Sequence, residues 1–192
     1  MDKDCIFNQL NALGTEDLEQ ALRENVFTCR YFCSVLARDE IALHQCSGNY
    51  PRIHIINTDP VKRQGQHWLA FIRDSPRDIS IYDSYGLHPA LYSRSLFKDL
   101  KCFSKFGTMY INPFHYQSAH SIVCGHYGLF FSLLHLKKKK RIALQIPFLT
   151  PNKFFYRNDR LVFNYVHLKY PTLTHLCIHK TQSSISYHPR VK

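Results

Sequence analysis

Residues 15–26, TEDLEQALRENV, place apolar side chains at Leu18, Ala21, Leu22 and Val26, which is the spacing of one helical face. Thr15 is the expected N-cap, and Glu16 and Asp17 fall in the first turn, where the helix dipole favours carboxylates. A second, shorter helix is expected within 29–43, before Gly48 and Pro51 interrupt the chain. The apolar runs then shorten to strand length: IHIIN (53–57), HWLAFIR (67–73) and DISIYD (78–83). PVKRQGQ (60–66) reads as a loop, DSPR as a tight turn, and Tyr85-Gly86 closes the unit. Residues 91–99 read as a helix and TMYIN (108–112) as a further strand. Ser121 is the expected cap of a long apolar helix running to about Leu136. NDRLVFNYVHLK (158–169), capped by Asn158, supplies the last helix. Helix, three strands, a further strand and two helices in that order predict an α+β fold.

Composition narrows this picture. A chain of 192 residues suits one domain with an ample core, expected over 1–180, with 181–192 as a loose tail. Hydrophobic residues at 45% and aromatics at 14% exclude a disordered chain. No apolar run approaches the roughly 18–20 residues that span a bilayer, and the start, MDKDC, has neither the basic nor the apolar part of a signal peptide. The seven cysteines are therefore expected to be mostly reduced, and an odd number leaves one unpaired within the chain in any case. The formal charge of +11 favours a polyanion as partner, either nucleic acid or an anionic surface. Its densest cluster is Lys137, Lys138, Lys139, Lys140 and Arg141. That run is a candidate DNA contact, a nuclear localisation signal, or simply a cationic helix C-terminus suited to the dipole.

Cys124 is the residue with most chemical interest. With Ser121 as cap it falls in the first turn of a helix, where unpaired N–H groups stabilise a thiolate. Gly125 and Gly128 cost about 0.8–1 kcal/mol each in a helix relative to alanine, so close approach of another backbone or a substrate is expected there. Taken alone, the segment fits a buried structural cysteine at least as well as a nucleophile.

A base comes from elsewhere in the chain. With the hairpin centred on Ser75, His67 lies directly opposite Asp83, and opposed residues have Cβ atoms about 4.5–5.5 Å apart on one face. That pairing would let a carboxylate orient an imidazole, half of a Cys-His-Asp arrangement; a surface His–Asp contact would look the same in sequence. Gln117, seven residues before Cys124, could donate its amide to an oxyanion together with the Cys124 N–H, or be a polar loop residue. A metal site is not expected: Cys29, Cys33, His115, His120 and His126 lack the close pairing of zinc ligands.

The chain order His, Asp, Gln, Cys in these contexts resembles the adenovirus endopeptidase (adenain) family and its relatives in viruses and Maverick/Polinton transposons. IINTDPVKRQGQHWLAF resembles the family's strands leading into the histidine and its tryptophan, and IYDSYGLHP its acidic-residue strand. QSAHSIVCGHYGLFF resembles the nucleophile segment, and RNDRLVFNYVHLKYP the C-terminal helix. The likeness spans about residues 27–171 and implies a central mixed sheet flanked by helices, with Cys124 at the N-terminus of the central helix. It implies a cysteine endopeptidase in which Cys124 is nucleophile, His67 base and then acid, Asp83 its orienter and Gln117 an oxyanion donor. Trp68 and Gly125 would border a narrow channel for glycine-containing sites in virion or transposon-capsid precursor proteins. The chemistry needs no cofactor, whereas adenoviral enzymes use viral DNA and an activating peptide. Cys102 lies where that peptide would attach, but its spacing and surroundings differ. The setting implied is a monomer in the virion and host nucleus, without a membrane. A SUMO or ubiquitin-like deconjugating protease shares the chemistry, and an inactive basic nucleic-acid-binding protein shares the charge.

Overall fold

The computed structural model describes residues 12–44, 49–63, 65, 67–138 and 148–173. Its centre is a five-stranded mixed sheet in the order β1 (Phe32–Leu36), β2 (Arg52–Asn57), β3 (Trp68–Arg73), β4 (Asp78–Tyr82), β5 (Thr108–Ile111). The two inner hairpins, β2–β3 and β3–β4, are antiparallel, and each edge strand joins its neighbour in parallel. The helices are α1 (Thr15–Glu24), α2 (Arg94–Phe103), α3 (Cys124–Lys138) and α4 (Phe155–Lys169), with 3₁₀ turns at Arg38–Leu43 and Pro89–Leu91. No helix among the described residues is long and apolar enough to cross a membrane.

Strand alternation divides the apolar residues between two cores. Ile53, Ile55, Ala70, Ile72 and Tyr82 join α1, α3 and α4 on one face. Ile56, Leu69, Phe71, Ile79 and Ile81 join Ile41 and the α2 residues Leu96 and Leu100 on the other. Helix α3 is buried without a break from its first residue to His135, which is why its sequence is apolar all round rather than striped.

Several local expectations change. Residues 29–43 hold β1 and a 3₁₀ turn rather than a second helix. FCSVL is a strand because it lies alongside β2, a partnership that single-chain periodicity does not reveal. Helix α1 is capped by Gly14, whose carbonyl accepts Leu18 N–H at 3.1 Å while its own N–H donates to Asp17 Oδ2 at 2.9 Å. It stops at Glu24, leaving Val26 exposed instead of on the buried stripe. Helix α4 begins three residues before Asn158, which is therefore internal and buried, not a cap. Among the described cysteines, Cys29, Cys102 and Cys124 are free and Cys33 is disulfide-bonded. The segments 1–11 and 181–192 lie outside the described residues.

Candidate active site

Three chain segments meet at one end of the sheet: the residue before β3, the turn after β4 and the start of α3. The β3–β4 ladder pairs Ala70 with Tyr82 and Arg73 with Ile79, two residues out from the register of a turn centred on Ser75. The connection is longer than that turn, with Asp78 O accepting from the N–H groups of both Asp74 and Ser75. Continuing the ladder puts Tyr85, not Asp83, across from His67. A slip of two keeps every side chain on its face, whereas a slip of one would have separated the pair. His67 accordingly stacks on Tyr85, ring centroids 4.7 Å apart, and still reaches Asp83 diagonally: its Nε2 donates to Asp83 Oδ1 at 2.7 Å.

Asp83 is fully buried and held on all sides. Oδ1 also accepts Tyr85 N–H at 2.9 Å, and Oδ2 accepts Leu87 N–H at 3.0 Å and the Tyr92 hydroxyl at 2.8 Å. The turn that delivers those N–H groups needs Gly86 at φ +66°, where a Cβ would collide with the Phe114 backbone at 2.5 Å. Asn112, just past β5, grips the Asp83 backbone from both sides: Oδ1 accepts Asp83 N–H at 2.6 Å and Nδ2 donates to Asp83 O at 2.9 Å. Tyr92 stacks on the far side of the arrangement, 5.4 Å from the His67 ring. Burial, then the Asp83 charge, keep its hydroxyl protonated and donating.

With Nε2 committed to Asp83, the Nδ1 edge of His67 is the one left to face Cys124, which acts on the ring electrostatically. Burial alone would depress the His67 pKa. The Asp83 hydrogen bond and the negative charges of Asp83 and Cys124 outweigh it and raise the pKa from 6.5 to about 9. The imidazolium is therefore the favoured form at neutral pH.

Cys124 is the first residue of α3. Val123 O accepts Tyr127 N–H at 3.1 Å, so Val123 caps the helix and Ser121 does not. The later start places the sulfur at the very end of the helix dipole. Ser121 instead turns back on Ser118, its Oγ donating to Ser118 O at 3.2 Å. Gln117 is fully buried and anchored at both ends: Oε1 accepts Ser84 Oγ at 2.6 Å, and Nε2 donates to Ser121 O at 2.8 Å. One amide proton remains for another acceptor. Gly125 faces protein: a Cβ there would lie 3.0 Å from Leu13 Cβ and 3.5 Å from Trp68 Cδ1, so its smallness admits the N-terminal segment rather than a substrate backbone. Trp68 is half-buried and donates Nε1–H to Leu13 O at 3.1 Å. A cavity of about 150 Å³ at Cys124 is bordered by Leu13, Gly65, Trp68 and Tyr85.

The supporting shell was largely invisible in the sequence. Tyr92, Asn112 and Asp159, the last on α4, belong to no local sequence motif. Asp159 accepts Ser118 N–H and the Tyr127 hydroxyl, both at 3.1 Å, and so fixes the loop between Gln117 and Cys124. His126 turns away from the cysteine, its Nε2 3.3 Å from His167 Nε2 on α4, and His120 is on the exposed loop. Lys137 is exposed near the end of α3 with its ammonium 5.4 Å from the Phe27 ring; the Lys138 side chain and residues 139–141 lie outside the described residues.

The chain is thus an α+β protein with a five-stranded mixed sheet flanked by helices. No family model matches it, and no curated protein matches it in sequence. Among solved structures, the central domain of the uncharacterized Lpg1148 protein from Legionella pneumophila is similar, with a TM-score of 0.51 at 14% identity over 86% of this chain and 99% of that one. That likeness is one of fold.

Proposed function

We propose that this protein is a cysteine endopeptidase with an adenain-like fold, cleaving virion or transposon-capsid precursor proteins at glycine-containing sites. The observation that carries the reading is His67 held between the buried Asp83 carboxylate and the Cys124 sulfur at a helix N-terminus. In this mechanism Cys124 Sγ attacks the scissile carbonyl carbon as thiolate. The Cys124 N–H and the remaining Gln117 amide proton stabilise the oxyanion. His67 Nδ1–H protonates the departing amine, which leaves a thioester on Cys124. Neutral His67 then takes a proton from water as the hydroxyl adds, and the intermediate collapses, releasing the carboxylic acid and restoring the thiolate. His67 keeps its Nε2 proton throughout, donating it to the Asp83 carboxylate, which stabilises the imidazolium.

The +11 charge supports DNA as a further partner in a virion or nuclear setting. The decisive test is incubation of the purified chain with peptides carrying glycine on the acyl side of the cut. Wild type is expected to cleave them and to be alkylated at Cys124 at neutral pH. Cys124→Ala is expected to lose cleavage entirely; residual activity in that variant would end the assignment. Rapid labelling of Cys124 by a ubiquitin or SUMO vinyl sulfone would redirect the substrate to a deconjugation target.

A further inference from the structure

A second, larger cleft of about 460 Å³ adjoins the Cys124 cavity and shares three walls with it, Leu13, Gly65 and Trp68. A chain lying across Cys124 and past Trp68 would enter it. The cleft is lined by Asp59, Glu40 and Arg63 among its polar residues. The two carboxylates are in different situations. Glu40 is exposed, and its Oε2 already accepts Ala37 N–H at 2.7 Å. Asp59 is 7% exposed, and among the described residues its buried Oδ2 has no hydrogen-bond partner. Its neighbours use its backbone instead: Arg38 N–H donates to Asp59 O at 3.0 Å, and Asp59 N–H donates to Asn57 Oδ1 at 2.9 Å. Among the described residues no ion pair joins Asp59 to Arg63.

An unsatisfied buried carboxylate oxygen carries a desolvation cost that a donor would remove. A hydrogen bond to a charged partner is the stronger kind, and a substrate side chain reaching along the cleft wall could provide it. We infer that Asp59 is a specificity residue that takes a lysine or arginine side chain of the substrate, a few residues from the scissile bond. The inference rests on Cys124 being the nucleophile of a protease, and it narrows the substrates to precursor segments with a basic residue beside the glycine-containing site.

The test has two arms, so that the protease reading and the subsite can fail separately. In the first, glycine-site peptides are scanned with Lys, Ala or Glu at each position within five residues of the cut, and kcat/KM is measured for wild type and Asp59→Asn. At one position Lys is expected to exceed Ala by roughly tenfold or more in wild type, with Glu poorest. In Asp59→Asn the Lys-to-Ala ratio is expected to fall towards one, and Glu40→Gln should lower it less. In the second, the same peptides are titrated into Cys124→Ala and into Cys124→Ala/Asp59→Asn, with circular dichroism confirming that both are folded. The Lys peptide is expected to bind the first about tenfold more tightly than the second. Cleavage with no Lys preference at any position, or with a preference that Asp59→Asn leaves intact, overturns the subsite while the protease stands. Charge-dependent binding without cleavage keeps the subsite and ends the protease reading. Neither cleavage nor Asp59-dependent binding overturns both.

Discussion

His67 shows how burial and charge compete at one imidazole. Desolvation acts to keep it neutral, yet Asp83 and Cys124 together raise its pKa to about 9. In the proposed mechanism the imidazolium must be present to protonate the leaving amine, so kcat/KM should hold through neutrality and fall along an alkaline limb near pH 9. Asp83→Ala removes a hydrogen bond and a negative charge, leaves burial in place, and should move that limb acidward by at least about one unit. A pH–rate profile of the variant measures this, and an unmoved limb would mean that Asp83 does not hold the imidazole. The same raised pKa has a stability consequence. The stabilisation from protonated His67 is complete below its unfolded value of 6.5 and is lost as pH rises through about 9.

Asn158 shows what a cap-like residue does inside a helix. Its Nδ2 donates to Thr150 O at 2.8 Å and to Tyr116 O at 3.2 Å, and its Oδ1 accepts Thr150 N–H at 3.1 Å. It therefore fastens α4 to two loops, one of them leading into Gln117. Asn158→Ala takes its side-chain partner from the part-buried Thr150 N–H and O, while Tyr116 O keeps the Tyr127 hydroxyl, and should cost roughly 1–3 kcal/mol. Urea denaturation should show the loss as a lower midpoint with an unchanged slope. Its neighbour Asp159 extends the same tie. The sequence pattern located α4 to within three residues, but Asn158 in front of an apolar stripe is indistinguishable from an N-cap until the preceding turn is known. Residues 29–43 carry a related ambiguity: the short edge strand β1 has no periodicity strong enough to distinguish it from a helix.

At the scale of the whole molecule, a buried acid has no ion-pair partner among the described residues. Asp159 is fully buried, and burial raises its pKa from 3.8 to about 6, against the pull of hydrogen bonds from Ser118 and Tyr127. The folded state binds that proton more tightly than the unfolded chain. Stability contributed here must fall as pH rises from about 4 to about 6, by an amount on the order of 2–3 kcal/mol. Asp159→Asn cannot titrate, so its melting temperature relative to wild type should climb across that interval. A constant difference between the two curves would show that Asp159 keeps an ordinary pKa.

What the residues determined by themselves were the runs that local physics dictates. Alternating or continuous apolar stretches made β2, β3, β4 and β5, and unbroken apolar character made α3 a buried helix. The hairpin also brought His67 and Asp83 to one face, since an error of two in its register preserves facing. Only the tertiary structure decided the rest. The true register came from the length of the 74–78 turn, and Cys124 became the first helical residue because Ser121 bonds back to Ser118 instead of capping. Gly125 accommodates Leu13, a contact between segments more than a hundred positions apart. Tyr92, Asn112 and Asp159 entered the site through hydrogen bonds whose partners no local pattern names. Periodicity records which side of an element is buried; it does not record what lies against that side.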